Sequence, residues 1–181
     1  NLTTTEVAAM TTAEIGALTS AQVNALTTSE AAALTSTQAP AFSSAALAGM
    51  TSAQLAAMAT AAATALTSTQ VPGLATAALA GLSTADITGF STGVVAALTT
   101  AQVMALGTAQ LAAMTTAEVR AFTTAQVRAL TTAQVANLTT AEVAAMTTAE
   151  IGALTSAQVN ALTTAEAAAL TSTQAPAFTS A

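Results

Sequence analysis

The stretch Leu130-Thr131-Thr132-Ala133-Gln134-Val135-Ala136-Asn137 is one copy of the unit from which the whole chain is built. The next eight residues, 138–145, read LTTAEVAA and repeat it with two changes. The pattern continues without insertion from residue 2 to residue 177, which makes 22 complete octads. A fixed short period of this kind is typical of solenoids and other repeat architectures. The octad therefore decides the fold.

Three positions of the octad are nearly invariant within the chain. Numbered from its large apolar residue, the octad has Leu, Met or Phe at position 1, Thr or Ser at position 3 and an apolar residue at position 6. Position 7 holds residues as different as Pro, Gly, Asn and Arg, so we expect it to face solvent. Positions 1 and 6 are expected to form the structural seam between copies. In the three most regular octads, the seam residues are Leu98, Val103, Leu130, Val135, Leu138 and Val143.

Positions 2 and 5 carry a helix start signal. Position 2 is Thr or Ser in most octads and position 5 is Glu or Gln in 17 of the 22, which is the S/T-x-x-E/Q capping box. Positions 3 to 8 are rich in Ala, Gln and Glu and are predicted to be helical. In the same three octads, the predicted capping residues are Thr99, Gln102, Thr131, Gln134, Thr139 and Glu142.

A start signal every eight residues predicts an all-α solenoid of very short helices, one per octad. A long continuous helix is an alternative, but apolar residues spaced about 4.0 residues apart would not stay on one face of such a helix. A β-solenoid is a second alternative, although positions 1 and 6 would point to opposite faces of a strand. Disorder is a third, because large apolar side chains are few. Helices this short are unstable alone, so each must be held by its neighbours.

The number of octads per turn of the coil is indicated by one irregularity. Ala46, Ala62, Ala78 and Val94 lack the polar group at position 5 at a spacing of 16, whereas the octads between them keep one. This alternation favours two octads per turn, and three per turn stays open.

A longer period overlies the octads. Residues 1–45 and 137–181 are identical at 42 of 45 positions, at an offset of 136 residues or 17 octads. We therefore interpret residues 1–181 as a single repeat array without internal domain boundaries. Because both ends fall within an octad and neither is a distinct polar cap, a fragment of a longer array is expected.

Composition excludes several classes of function. The net charge is −6 and Arg120 and Arg128 are the only basic residues, which argues against nucleic acid as a partner. Hydroxyl residues recur every octad, so no apolar run is long enough for a membrane span. The absence of His and Cys removes the usual catalytic bases, nucleophiles and soft metal ligands. We therefore expect no enzyme, no cofactor and no metal site.

All eight acidic residues lie at position 5. Pairs such as Glu142 and Glu150 would approach one another if consecutive octads stacked. The simpler interpretation is that each carboxylate is a solvated cap, favoured by the dipole of its helix.

Tandem octads of the form LTTAQVxA, as in residues 98–105 and 130–137, resemble the repeat regions of very large bacterial secreted or surface proteins described as adhesin-like or haem-utilisation-like. The resemblance covers the whole chain and implies an extended structural role outside the cell or at its surface. The haem label carries over to no residue, since the chain has no His, Cys or Tyr.

These observations predict a structural protein: a rigid extracellular rod, a stalk or a fibre subunit. Its low charge and exposed Ala and Thr faces predict self-association, either lateral or end to end. The alternative is a surface-binding module whose Thr-rich rows contact carbohydrate, an abiotic surface or ice.

Overall fold

The computed structural model describes residues 2–178, and throughout that range the chain is a coil of short helices without a β-strand. The predicted all-α solenoid is confirmed. The long continuous helix and the β-solenoid are both wrong, because each α-helix spans only four to six residues. One helical segment corresponds to each octad.

The α-helices are, in chain order, α1 Thr4–Ala9, α2 Thr12–Gly16, α3 Ser20–Asn24, α4 Thr28–Ala32, α5 Ser44–Leu47, α6 Ser52–Ala57, α7 Thr60–Ala63, α8 Thr84–Thr88, α9 Thr92–Ala97, α10 Thr100–Ala105, α11 Thr108–Ala112, α12 Thr116–Val119, α13 Thr124–Ala129, α14 Thr132–Val135, α15 Thr140–Ala145, α16 Thr148–Ala153, α17 Ser156–Ala161 and α18 Thr164–Ala168. Four 3₁₀ helices complete the series: Ala39–Ala41 before α5, Val71–Gly73 after α7, Thr76–Gly81 before α8, and Ala175–Ala177 after α18.

Two consecutive extended residues end one helix and begin the next. Leu130 has φ −54° and ψ 136°, and Thr131 has φ −71° and ψ 157°. The N–H of Leu130 still donates to the carbonyl of Val127, at 3.2 Å, which closes the last turn of α13. The next residue is already the N-cap of α14. No described residue has a positive φ, so these sharp corners require no left-handed backbone.

Proline at position 7 converts the octad to a turn followed by a 3₁₀ helix. Pro40, Pro72 and Pro176 each occupy the middle of a three-residue 3₁₀ segment. Proline has no N–H to donate, so it cannot make the i→i−4 bond of an α-helix. The shorter segment keeps the octad in step with its neighbours.

Each helix packs against the helices three octads before and after it. For example, α13 lies between α10 on one side and α16 on the other. Hydrogen bonds between layers join residues 28 and 31 apart, as for Gln134 with Leu106 and Val103. One turn of the coil therefore contains between three and four octads.

The prediction of two octads per turn is wrong. Ala46, Ala62, Ala78 and Val94 are all at most 3% exposed and replace a polar group that is buried in other octads. With three to four octads per turn, a spacing of 16 residues does not return to the same side of the coil. The spacing of these four residues therefore shows where a layer lacks a polar side chain at position 5. It does not indicate how many octads make one turn.

Positions 1 and 6 fill the interior of the coil. Val103, Val135 and Val143 are fully buried, and the seam residues Leu98, Leu130 and Leu138 are at most 5% exposed. Position 7 faces solvent, as expected, and the large hydrophobic side chain of Met104 is 53% exposed there. Helical spacing brings position 6 inward, while position 1 lies at the corner between two helices.

Glycine at position 8 permits a close approach between two layers. A Cβ at Gly81 would lie 2.0 Å from the carbonyl oxygen of Ser52, and Gly49 and Gly73 face other backbone carbonyls in the same way. These carbonyls belong to residues 29 positions earlier, one turn of the coil away. A Cβ at any of these three glycines would overlap backbone of the preceding layer, so one of the two segments would have to shift.

Gly81→Ala is expected to lower the free energy of unfolding by about 1–3 kcal/mol, because the new methyl group overlaps backbone of the preceding layer. The matched control is Gly93→Ala within α9, where the nearest atom to a new Cβ lies 3.8 Å away. That variant should gain roughly 0.5–1 kcal/mol from reduced chain entropy and better helix propensity. Chemical denaturation of the two variants checks the difference, and equal stabilities would contradict the close approach.

Candidate functional site

The side chain at position 5 caps the N-terminus of its own helix. The N–H of Thr131 donates to Oε1 of Gln134 at 2.8 Å, and the N–H of Gln134 donates to Oγ1 of Thr131 at 3.1 Å. Thr99 and Gln102 form the same reciprocal pair, as do Thr139 and Glu142. Two N–H groups at the start of each of these three helices, which have no partner within the helix, are satisfied in this way.

The same glutamine also binds the preceding layer. Nε2 of Gln134 donates to the carbonyls of Val103 and Leu106, both at 2.8 Å. These carbonyls lie at the end of α10: that of Val103 also accepts from the N–H of Leu106, and that of Leu106 lies just past the last helical residue. One amide therefore caps the N-terminus of its own helix and the C-terminus of a helix one turn away.

This double cap recurs wherever a glutamine has a layer before it. Nε2 donates to the carbonyls 31 and 28 residues earlier at 2.5–3.0 Å in nine octads. The nine residues are Gln38, Gln54, Gln70, Gln102, Gln110, Gln126, Gln134, Gln158 and Gln174. We call this set the glutamine ladder. All nine are at most 8% exposed.

The capping box predicts the first half of this arrangement from the sequence, but not the second. A capping box stabilises an isolated helix with either Glu or Gln, so it gives no reason to expect burial. The available signal is the preference for Gln, which occupies ten of the position-5 sites against seven for Glu. Only the amide can donate to a carbonyl while it accepts from an N–H.

The acidic residues divide into two environments. Glu6 and Glu14 lie in the first turn and are exposed. The carboxylate of Glu6 accepts from the backbone N–H and the hydroxyl of Thr3, and that of Glu14 accepts from the same groups of Thr11. These bonds, chiefly those from the backbone N–H, lower the pKa of each glutamate. Here the expectation of a solvated cap agrees with the geometry.

The expectation of a solvated cap is wrong for the acids covered by other layers. Each is at most 4% exposed, because neighbouring turns pack over position 5; the residues are Glu30, Asp86, Glu118, Glu142, Glu150 and Glu166. In four of them one carboxyl oxygen is buried without a hydrogen-bond partner: Asp86 Oδ1, Glu118 Oε1, Glu142 Oε1 and Glu150 Oε1.

The bonds that Thr27 donates lower the pKa of Glu30, whereas the pKa of Glu142 is raised. Burial is the largest cause and raises its pKa; the bonds donated by Thr139 lower it, and the charge of Glu166 raises it further. Glu166 lies three octads along the chain on α18, which packs against α15. The carboxylate that repels Glu142 is therefore that of Glu166, on the next turn of the coil. The sequence had suggested Glu150, the acid of the adjacent octad, as the neighbour of Glu142.

The described part of the chain offers little for ligand chemistry. Within residues 2–178, no group of three or more His, Cys, Asp or Glu side chains is placed to hold a metal ion. Over the same residues, no helix has the length and apolar character needed to cross a bilayer. The organised polar feature of this coil is the glutamine ladder, and its function is to bind one layer to the next.

Gln102→Ala removes a helix cap and two bonds between layers, so it should lower the free energy of unfolding by about 2–4 kcal/mol. Gln22→Ala is the matched control, because exposed Gln22 caps its own helix at Thr19 and has no preceding layer to bind. The control should lose only about 0.5–1 kcal/mol. Denaturant titration of both variants separates the two contributions, and similar losses would show that the interlayer bonds add nothing.

Comparison with known proteins gives one match. A family model described as the ALTTAQ repeat matches residues 1–28, 7–44, 79–116, 103–140 and 143–180, which together span more than half of the chain. No protein of curated function and no solved structure matches it. The match supports the repeat character that the octads predict, and it does not address the adhesin-like context. The chain belongs to the ALTTAQ repeat family.

Proposed function

We propose that this chain is a structural module, a stiff rod segment within an extracellular stalk or fibre. The observation that carries the proposal is the glutamine ladder, which binds one turn to the next in nine octads from Gln38 to Gln174. A module whose recurring polar groups are used internally, layer after layer, is suited to bear load and to set distance. The proposal includes no catalytic role, because the chain has neither His nor Cys.

The geometry of the coil supports an elongated shape. Each helix contacts the helices three octads away, so a longer array extends the coil along its axis without enlarging its core. Layers of packed helices lie about 8–10 Å apart. At three to four octads per turn, 22 octads make roughly six turns and a rod of about 50–60 Å.

The outer surface supports association between rods. Positions 4 and 7 face solvent. Position 4 is mostly Ala and position 7 is Ala in ten of 22 octads, and only ten of the 181 side chains carry a formal charge. Small uncharged side chains allow two surfaces to approach closely with little charge to desolvate. Lateral packing of rods into a fibre is the form of self-association that this surface favours.

Small-angle X-ray scattering of the purified chain tests the shape. The proposal expects an elongated particle, and a chain extended by 17 further octads, the length of the long period, should lengthen by about 40–50 Å at constant cross-section. Growth in all three dimensions would contradict a rod.

Immunogold labelling tests the location. Antibodies raised against a folded octad array should label the outside of intact cells of the source organism, since the proposal places the rods there. Labelling that appears only after the cells are permeabilised would contradict the extracellular role. An antibody against a cytosolic protein is the control for intact cells.

A surface-binding module is the second candidate. The hydroxyl-bearing side chain at position 3 is exposed in all but one octad, Thr108 being half-buried, and these hydroxyls do not form the capping boxes. They follow the coil around its axis as a regular spiral of Thr and Ser. This candidate predicts that the chain is retained on insoluble polysaccharide or, in the ice version, shows thermal hysteresis. Thr→Val substitution at position 3 should abolish that binding. If the substituted chain binds as well as the original, the candidate is excluded.

A further inference from the structure

Glutamate and glutamine have the same shape but differ in what they offer the neighbouring layer. In the glutamine ladder, one side-chain oxygen accepts from the helix start and the amide nitrogen donates to two carbonyls. In Glu142, Oε2 accepts from the N–H of Thr139, so Oε1 takes the place of the donating nitrogen. A carboxylate oxygen cannot donate a hydrogen bond.

The register of the coil identifies what this oxygen faces. Residues 31 and 28 positions before Glu142 are Leu111 and Met114, whose counterparts Val103 and Leu106 accept from Gln134. Glu142 is 2% exposed and Oε1 has no hydrogen-bond partner. An ionised Glu142 therefore places a buried negative charge where nine other octads place a donor.

We propose that Glu142 binds a proton when the layers are packed, and that the turn holding Glu142 forms an acid-closed joint in the rod. Protonation converts the unpartnered oxygen into an O–H group that donates to one of the two carbonyls of the preceding layer. Above the pH at which the proton leaves, the charge is buried without a donor, and this turn separates more easily than the turns joined by glutamine.

The charged groups around Glu142 do not replace the missing donor. On α12, which packs against α15, Glu118 is buried with an unpartnered oxygen of its own, and Arg120, the residue after α12, is exposed. On α18, Glu166 is buried and repels Glu142. Along the chain, α14 carries no charged residue and α16 carries Glu150, also unpartnered. The surroundings thus favour the neutral form of the acid.

The direction of the pH dependence follows from burial. The folded protein raises the pKa of Glu142 above its ordinary value of 4.5, mainly by burial. The stabilisation of the folded state is therefore fully present below pH 4.5 and is lost as the pH rises through the raised pKa. Glu6 and Glu14 act in the opposite sense, because their lowered pKa values give a stabilisation that is lost as the pH falls below 4.5.

The first test compares Glu142→Gln with Glu14→Gln by thermal unfolding at pH 4 and pH 7. Glu142→Gln supplies the donor found in nine other octads, so it should raise Tm by about 5 °C at pH 7 and by less than about 1 °C at pH 4. Glu14→Gln, which is exposed and has no preceding layer, should give no gain at pH 7. An equal gain of Glu142→Gln at both pH values, or none at pH 7, would overturn the proposal.

The reciprocal variant tests the same joint from the other direction. Gln134→Glu should lower Tm at pH 7 by about 5 °C and recover most of that loss at pH 4, because it installs a carboxylate opposite Val103 and Leu106. Carbon-13 NMR of the glutamate carboxyl groups, with Glu142 assigned by its absence from the Glu142→Gln spectrum, gives the titration directly. A midpoint for Glu142 at or below 4.5 would overturn the proposal.

Discussion

The structure depends on the side-chain amide at position 5 of the octad. Helices of four to six residues are too short to be stable alone, and each leaves several N–H and C=O groups without partners at its two ends. The amide resolves this for two helices at once, because its oxygen accepts at the start of one and its nitrogen donates to the end of another. The apolar interior holds the layers together, and the amide fixes which carbonyls face which helix.

The period of eight follows from this requirement. Up to six residues form the helix, and two extended residues, such as Leu130 and Thr131, turn the chain toward the next one. The large residue at the corner and the branched residue at position 6 fill the interior, which explains why a chain with only four Phe and no Trp or Tyr can still form a continuous core. Alanine fills the remaining positions because it favours helix and permits close packing.

The local part of this fold could be predicted from the sequence, and the long-range part could not. The capping box at Thr131 and Gln134 and the apolar residues Leu130 and Val135 indicate one short helix per octad. The pitch depends on how far each corner turns the chain, and the spacing of Ala46 and Ala62 carries no information about that angle. The burial of Glu142 could not be predicted from the sequence for the same reason. Residues of other turns cover position 5, and the sequence of one octad does not show which residues those are.

The glutamine ladder and the buried glutamates describe one site with two chemical states. Where the residue is Gln, the amide joins the layers at any pH; at Glu142, the junction that we propose depends on a proton. In such a rod, the strength of the junction between turns would vary along the length according to whether position 5 is Gln or Glu, which differ in one heavy atom. In the structural role proposed above, the exposed Thr and Ala positions would contact the surroundings, and position 5 would set how firmly one turn is joined to the next.

The most direct test of the coil is electron paramagnetic resonance with pairs of spin labels at exposed position-7 sites. Met104 and Arg128 are 24 residues apart on α10 and α13, which pack against each other, so labels there should show strong dipolar broadening at a backbone separation of about 10 Å. Labels at Ala112 and Arg128, 16 residues apart, should show much weaker broadening. Strong broadening for the 16-residue pair and little for the 24-residue pair would contradict a coil of three to four octads per turn.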